Sequence, residues 1–284
     1  MPTQIDSAFI ADMRESFSNN GDSAIDEVLP SGFSIGGVVQ LACMRSACSP
    51  RLLSHLAMWR KRSAVLNDAC LTFDNGHLPS TASMWEVRGL EFFPIRGMDW
   101  ADSQRYHPFE SRFCKAAKQA GFGDKAAALA GALYEMADNV AQHSGADSHN
   151  PSPGLLGYYI CDSHVAFAVA DFGRGVLNSL KDNPAWEHLT DSKAALMEVV
   201  TNHASRRQYG GDGEGFKEVF RSLANLNGMI ELLSGNGRVR IVSTSDGRQA
   251  APQFTAPLPG FQLSVNCSLN SAPGERIFPL DYLT

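Results

Sequence analysis

Three short stretches of this 284-residue chain hold residues whose types and spacing can do chemistry. In LYEMADNVAQHS (133–144), Glu135 and Asn139 stand four residues apart and so share one face of a helix, with Gln142 and His143 continuing it. A carboxylate one turn from a carboxamide suits a divided task. Glu135 can polarise a hydroxyl or a water as general base. Asn139 can give its amide oxygen to Mg2+, a cation that takes oxygen ligands and keeps waters and phosphate oxygens alongside. Asp138, beside them, can hold a metal-bound water. The same spacing also describes the solvated face of an amphipathic helix.

VADFGRGV (169–176) puts Asp171 at the end of an apolar run, followed by Gly173 and Gly175. Two glycines let the backbone approach a flat ring, and the Asp171 carboxylate can accept from an exocyclic amine such as that of adenine. A turn in which the carboxylate caps local amides fits the same residues. GGDGEGF (210–216) carries Gly211, Gly213 and Gly215, whose N–H groups can converge ahead of a helix N-terminus that suits phosphate. It lacks the lysine-Ser/Thr ending of a Walker A loop. Lys217 can still reach a phosphate, and Arg206 and Arg207 in the preceding loop can close over a nucleotide. A flexible loop and an exposed arginine pair are the plainer readings of these residues.

Several elements must position these groups. Residues 125–143 are predicted as a helix, with Leu129, Leu133, Met136, Ala137 and Val140 at 3.6 spacing and Ser144-Gly145 as its stop. Residues 113–120 read as a helix halted by Gly121-Phe122-Gly123. Residues 155–161 and 164–170 flank Asp162-Ser163 as an antiparallel hairpin. Helices are predicted over 193–200 and 215–227, with a mobile stretch at 201–212 between them. Residues 229–233 and 238–243 flank Asn236-Gly237, a favoured type I′ dipeptide, and 261–268 would be the last strand.

Upstream, residues 1–30 read as one amphipathic helix and a polar link. Residues 34–43 fit a buried strand or a helix start, and 51–62 a helix with Leu52, Leu53, Leu56 and Trp59 on one stripe. Residues 69–73 and 90–95 read as strands, and 96–110 as a connection. The expected fold class is α+β: a two-layer α/β sandwich with helices on one face of a mixed, mostly antiparallel sheet, preceded by a small α/β region. The division falls between residues 1–110 and 111–284.

The composition, 44% hydrophobic and 19% charged, is that of a folded domain with a substantial core. A net charge of −6 speaks against a nucleic-acid backbone binder. The six cysteines show no Cys-x-x-Cys and no zinc-like pairing with histidine, and read as reduced, buried thiols. The start, MPTQIDSAFIADMRESF, lacks the basic and apolar regions of a secretory signal. No apolar run approaches the ~20 residues of a membrane span. The expectation is a cytoplasmic protein with no membrane partner.

The three motifs, in this order and at this spacing, resemble the N, G1 and G2 boxes of the GHKL ATPases, the gyrase, Hsp90, histidine-kinase and MutL superfamily with the Bergerat fold. The resemblance covers about residues 125–268. Glu135-x-x-x-Asn139-x-x-x-His143-Ser144 is similar to the motif of anti-sigma-factor serine kinases. Residues 176–180, Asn183-Pro184 and Ser205-Arg206-Arg207 resemble stand-alone bacterial ATP-binding proteins, some of which carry a STAS-like segment upstream. The resemblance implies ATP and Mg2+ as cofactors. It makes Glu135 the general base, Asn139 the Mg2+ ligand, Asp171 the adenine reader, Gly173 and Gly175 the ring-side turn, and Gly211, Gly213 and Gly215 the triphosphate cradle.

The implied function is an ATP-dependent regulatory switch, or a Ser/Thr protein kinase acting on a protein partner; a homodimer is compatible with it. Two alternatives stay open: an ATP hydrolase whose lid, about 201–214, gates a partner, and a nucleotide-sensing binding module without turnover. This chain departs from the family pattern at Glu214, usually leucine, and at Gly260-Phe261, usually Gly-Thr. His55, His107, His143 and His164 are isolated, which argues against a self-phosphorylating histidine kinase.

Overall fold

The computed structural model describes residues 3–5, 30–45, 50–76, 89–101, 104–145, 152–202, 204, 227–244, 247–270 and 277–279. In chain order these form β1 (Thr3–Ile5), β2 (Pro30–Ser34), α1 (Ile35–Met44), α2 (Pro50–Arg62), α3 (Ala64–Asn75), β3 (Leu90–Ile95) and α4 (Tyr106–Ala117). Then follow α5 (Lys125–His143), β4 (Gly154–Cys161), β5 (His164–Asp171), α6 (Gly175–Leu180), α7 (Ser192–Asn202), β6 (Asn227–Thr244), β7 (Gly247–Ser268) and β8 (Ile277–Pro279). The main sheet has five antiparallel strands in the order β3–β4–β5–β7–β6. A small sheet joins β1, β2 and β8.

The fold is α+β, with helices packed against an antiparallel sheet as expected. Successive side chains of a strand point to opposite faces, and β5 shows the consequence. Its Val165, Phe167 and Val169 join a core with Phe109 and Phe113 of α4 and Leu129, Leu133 and Met136 of α5. Its Ala166, Ala168 and Ala170 face the other way, into a core with Val38, Val39 and Leu41 of α1 and Trp59 of α2. Small residues on that face let α1 lie close: a side chain on Gly157 would strike the Phe92 ring and Val39. The N-terminal helices thus cover the second face of the sheet. β3 lies before the division expected at residue 110, yet it pairs along its length with β4, from Leu90↔Tyr159 to Ile95↔Gly154.

Local chemistry explains where elements differ from the sequence reading. Residues 34–43 are helical because Ser34 Oγ accepts from the Gly37 N–H at 3.0 Å, an N-cap. Residues 69–73 lie inside α3 and form no strand; Ser63 caps it, and Val65, Leu66, Ala69 and Cys70 form one buried helical stripe. The connection expected over 96–110 ends early, since α4 starts at Tyr106, and α4 closes in a π turn at Lys118–Phe122. Residues 3–5 are a strand, where the amphipathic helix of the 1–30 stretch was expected; residues 6–29 of that helix and its polar link lie outside the described residues. Helix α6, directly after the glycines of 173–175, was not foreseen. Residues 201 and 202 end α7 and Asn227 begins β6; the mobile stretch and helix expected between them lie outside the described residues except for Ala204.

Strand β6 turns back on itself. On a straight strand Arg240 would stand roughly 30 Å from Glu231, yet its Nη2 lies 3.1 Å from Glu231 Oε1, and Arg238 Nε lies 2.9 Å from the same atom. The reversal sits where the pairing with β7 shifts register, between Ser234 and Gly237. A hairpin of residues 229–233 with 238–243, turning at Asn236-Gly237, was expected there, but both segments pair with β7 and not with each other. The positive φ, 54°, falls instead on Gly235, and Asn236 is not left-handed. Beyond the reversal Val239 and Ile241 return to the core that holds Ile230, Leu232 and, from α7, Leu196.

Candidate functional site

Helix α5 spans the predicted residues, 125–143, and buries the predicted stripe of Leu129, Leu133, Met136, Ala137 and Val140. Glu135, Asp138, Asn139, Gln142 and His143 are half-buried along its flank. Gln142 Nε2 donates to Asp138, so that carboxylate already holds one partner. Asn139 Nδ2 is buried with no hydrogen-bond partner. A buried donor left in this state is costly, and an anionic oxygen would relieve it. Among the described residues no group of three or more His, Cys, Asp and Glu could hold a metal ion. A Mg2+ beside Asn139 would therefore be one that arrives with phosphate oxygens and water.

Asp171 ends β5, and the two-residue alternation puts its side chain on the α5 face with Val165, Phe167 and Val169. It is 5% exposed. Its Oδ1 accepts from the Gly173 N–H at 2.6 Å, and the carboxyl also accepts from the Phe261 backbone N–H. Burial pushes the carboxyl up to about 7, against the pull of these two donors. The turn reading of Asp171 is thus realised in part: one oxygen caps the local Gly173 amide.

The two glycines after Asp171 meet protein on the side where a side chain would stand. The Ser144 carbonyl fills that place at Gly173, and the same carbonyl accepts from the Arg174 N–H at 3.0 Å. The loop after β5 is therefore tied to the last turn of α5. Gly175 has a φ of 74° and lies against Ser234. Ser234 Oγ accepts from the Val176 N–H at 2.9 Å and donates to the Gly260 carbonyl at 3.0 Å. Gly260, φ 76°, in turn abuts the Asp171 backbone. Arg174 is locked by Asp182 at 2.6 and 2.7 Å, which fixes α6 on the same loop.

A narrow cleft, with room for about one water, lies beside Asp171. It is lined by Gln40, Cys43 and Met44 of α1, Ala170 and Asp171 of β5, Leu233 of β6, and Leu258, Pro259, Phe261 and Gln262 of β7. Burial, and after it the Asp171 charge, push the Cys43 thiol well above its ordinary range. The structure thus links Asp171 to Gly173, Gly175 and the end of α5, while Glu135, Asp138 and Asn139 contribute nothing to the lining of this cleft. Arg206, Arg207, Gly211, Gly213, Glu214, Gly215 and Lys217 lie outside the described residues.

Sequence reasoning missed Gln40, Ser234 and the role of Gly260. Gln40 left a signal, the one amide in the apolar run IGGVVQLACM. Pro259-Gly260 is a turn dipeptide; Ser234 left none. Among the described residues five cysteines, Cys43, Cys70, Cys114, Cys161 and Cys267, are free, and no helix is long and apolar enough to cross a membrane. No family model matches the chain, and comparison with curated proteins found no match.

Proposed function

We propose that this protein binds Mg-ATP and acts as an ATP-dependent regulatory switch or Ser/Thr protein kinase on a protein partner. The observation that carries this reading is Asp171: a buried carboxyl at a strand end, oriented by the Gly173 and Phe261 N–H groups, on a loop tied through Ser144 to the helix that carries Glu135 and Asn139. Asp171 would accept from the adenine amine. The unsatisfied Asn139 N–H fits a position beside a phosphate oxygen, and its amide oxygen would be the one offered to Mg2+. Bound Mg2+ would neutralise phosphate charge. Glu135, half-buried four residues before Asn139, would take the proton from an attacking hydroxyl. The likeness of the motifs to those of GHKL ATPases supports the same assignment, with the arginine pair and glycine-rich loop of 206–215 on the phosphates.

Calorimetric titration with a non-hydrolysable ATP analogue and Mg2+ tests the binding, and Asp171→Asn should weaken it tenfold or so. Absence of binding by the wild type sinks the reading. A labelled-ATP assay then separates outcomes: label on an added protein supports the kinase, free phosphate a hydrolase, and binding with neither a sensing module. Glu135→Ala should end turnover and spare binding; surviving turnover removes Glu135 as the base.

A further inference from the structure

Residues 28–67 hold Arg45, Arg51, Arg60, Lys61 and Arg62 and no Asp or Glu, in a chain whose net charge is −6. Arg60, Lys61 and Arg62 form the last turn of α2. This helix buries Leu52, Leu56 and Trp59 in the core on the sheet face away from α5. Its opposite face carries Leu53, Ser54, Ala57, Lys61 and Arg62, all exposed, with Leu53 at 38%. Leu53, Ala57 and Lys61 follow one another at four-residue steps and so line up along the helix. Arg60 is held in place: its Nε and Nη2 donate to Asn67 Oδ1 at 3.3 and 3.1 Å, which ties the end of α2 to the start of α3. Lys61 and Arg62 have no ion pair or hydrogen bond among the described residues. A helix C-terminus carries partial negative charge that suits cations. Here the positive end of α3 meets that charge at Ser63, whose N–H donates to the Trp59 carbonyl at 2.9 Å and whose Oγ accepts from the Leu66 N–H at 3.2 Å. The two helix ends offset one another, and the two cations stay open to a counter-charge from outside.

We propose that this face of α2 is a docking surface for an acidic segment of a protein partner. Carboxylates of that segment meet Lys61 and Arg62, and Leu53 and Ala57 take an apolar side chain beside them. Charge complementarity names the occupant, since this is a stretch of cations without carboxylates in an acidic protein. A bilayer or a duplex presents a field wider than the patch and brings anionic charge against the rest of the chain. A short acidic segment engages the patch alone. The proposal does not depend on nucleotide binding.

The test titrates the full chain, without nucleotide, against a labelled synthetic helix with Glu and Leu on one face, and against the same helix with Gln in place of Glu. Fluorescence anisotropy reads the binding. The wild type should prefer the Glu helix about tenfold or more. That margin should shrink as salt rises from about 0.1 M to about 1 M, where the screening length falls from ~10 Å to ~3 Å. Lys61→Glu with Arg62→Glu should weaken binding of the Glu helix by about tenfold, and Leu53→Ser by a smaller factor. Lys115→Glu with Lys118→Glu makes the same change in net charge at exposed positions of α4 and the π turn after it, and should leave the affinity unaltered. A wild type that does not bind the Glu helix, or binds both helices equally, overturns the proposal. Equal weakening by the two double variants overturns it as well, because net charge alone then accounts for binding. Vesicles of phosphatidylglycerol and phosphatidylcholine are titrated alongside: tighter binding to them, lost in the Lys61/Arg62 variant, overturns the protein partner in favour of a membrane surface.

Discussion

The Ser144 carbonyl occupies the place where a side chain on Gly173 would stand, and it accepts the Arg174 N–H at 3.0 Å. The last turn of α5 and the loop after Asp171 therefore meet backbone to backbone. Gly173→Ala should cost about 1–3 kcal/mol, because neither the carbonyl nor the loop can yield without losing that hydrogen bond. Gly131, on α5, has nothing within 4 Å of the same position. Gly131→Ala should stabilise by about 0.5–1 kcal/mol through helix propensity alone. Urea unfolding of the pair measures both, and equal effects would contradict the close approach.

Asp171 predicts a pH dependence. Its carboxyl is held up to about 7 by burial, against about 3.9 in an unfolded chain. Between those values the folded protein keeps a proton that the unfolded chain has lost. The Asp171 contribution to stability is fully present below about pH 4, falls as pH rises towards 7, and is gone above it. Asp171→Asn removes this proton, so the wild-type-minus-variant difference in unfolding free energy should shrink from about pH 5 to about pH 8. Affinity for an amino-bearing ligand should move the opposite way, because the ionised carboxylate is the better acceptor. A flat stability difference across that range would show that the carboxyl titrates normally.

Ser234 bridges the start of α6 and the turn at Gly260. Its hydroxyl accepts from Val176 N–H and donates to the Gly260 carbonyl. Ser234→Ala leaves both without that partner at a buried position and should cost about 1–3 kcal/mol. Since Gly260 abuts Asp171, the same change should also weaken ligand binding. Thermal unfolding and titration on one sample check the two effects together.

Glu231, 1% exposed at its side chain, faces Arg238 at 12% and Arg240 at 42%. Removing the better buried partner should matter more. Arg238→Met should destabilise by about 2 kcal/mol or more, by leaving the carboxylate poorly paired in the interior, and Arg240→Met by less than about 1 kcal/mol. Chemical unfolding of the two variants ranks them; the reverse order would contradict the ion-pair geometry.

Much of the fold was legible where one period ran long enough. Helix α5 was found to the residue because nineteen positions keep an apolar stripe in register, and the β4–β5 hairpin because two apolar runs flank Asp162-Ser163. Short runs failed: Ala69, Cys70, Leu71 and Phe73 fit a strand or a helix equally well, and only the Ser63 cap and the stripe continuing from Val65 settle it. Asp171 and its glycines could be read locally, since one segment carries them. Ser234 could not, because it reaches that loop from a position 63 residues away (234 − 171). Adjacency of that kind is made by the sheet, not by spacing.

The shared sheet also sets an order of events during synthesis. A ribosome releases α1, α2, α3 and β3 well before β4 and β5, against which they rest. Until residue 171 has emerged, Val38, Leu41, Trp59 and Phe92 have no β5 surface to cover them, which makes the nascent chain a client for holding chaperones. Conversely, a fragment begun near residue 110 would leave β4 as a bare edge and the alanine face of β5 wet, an invitation to edge-to-edge aggregation.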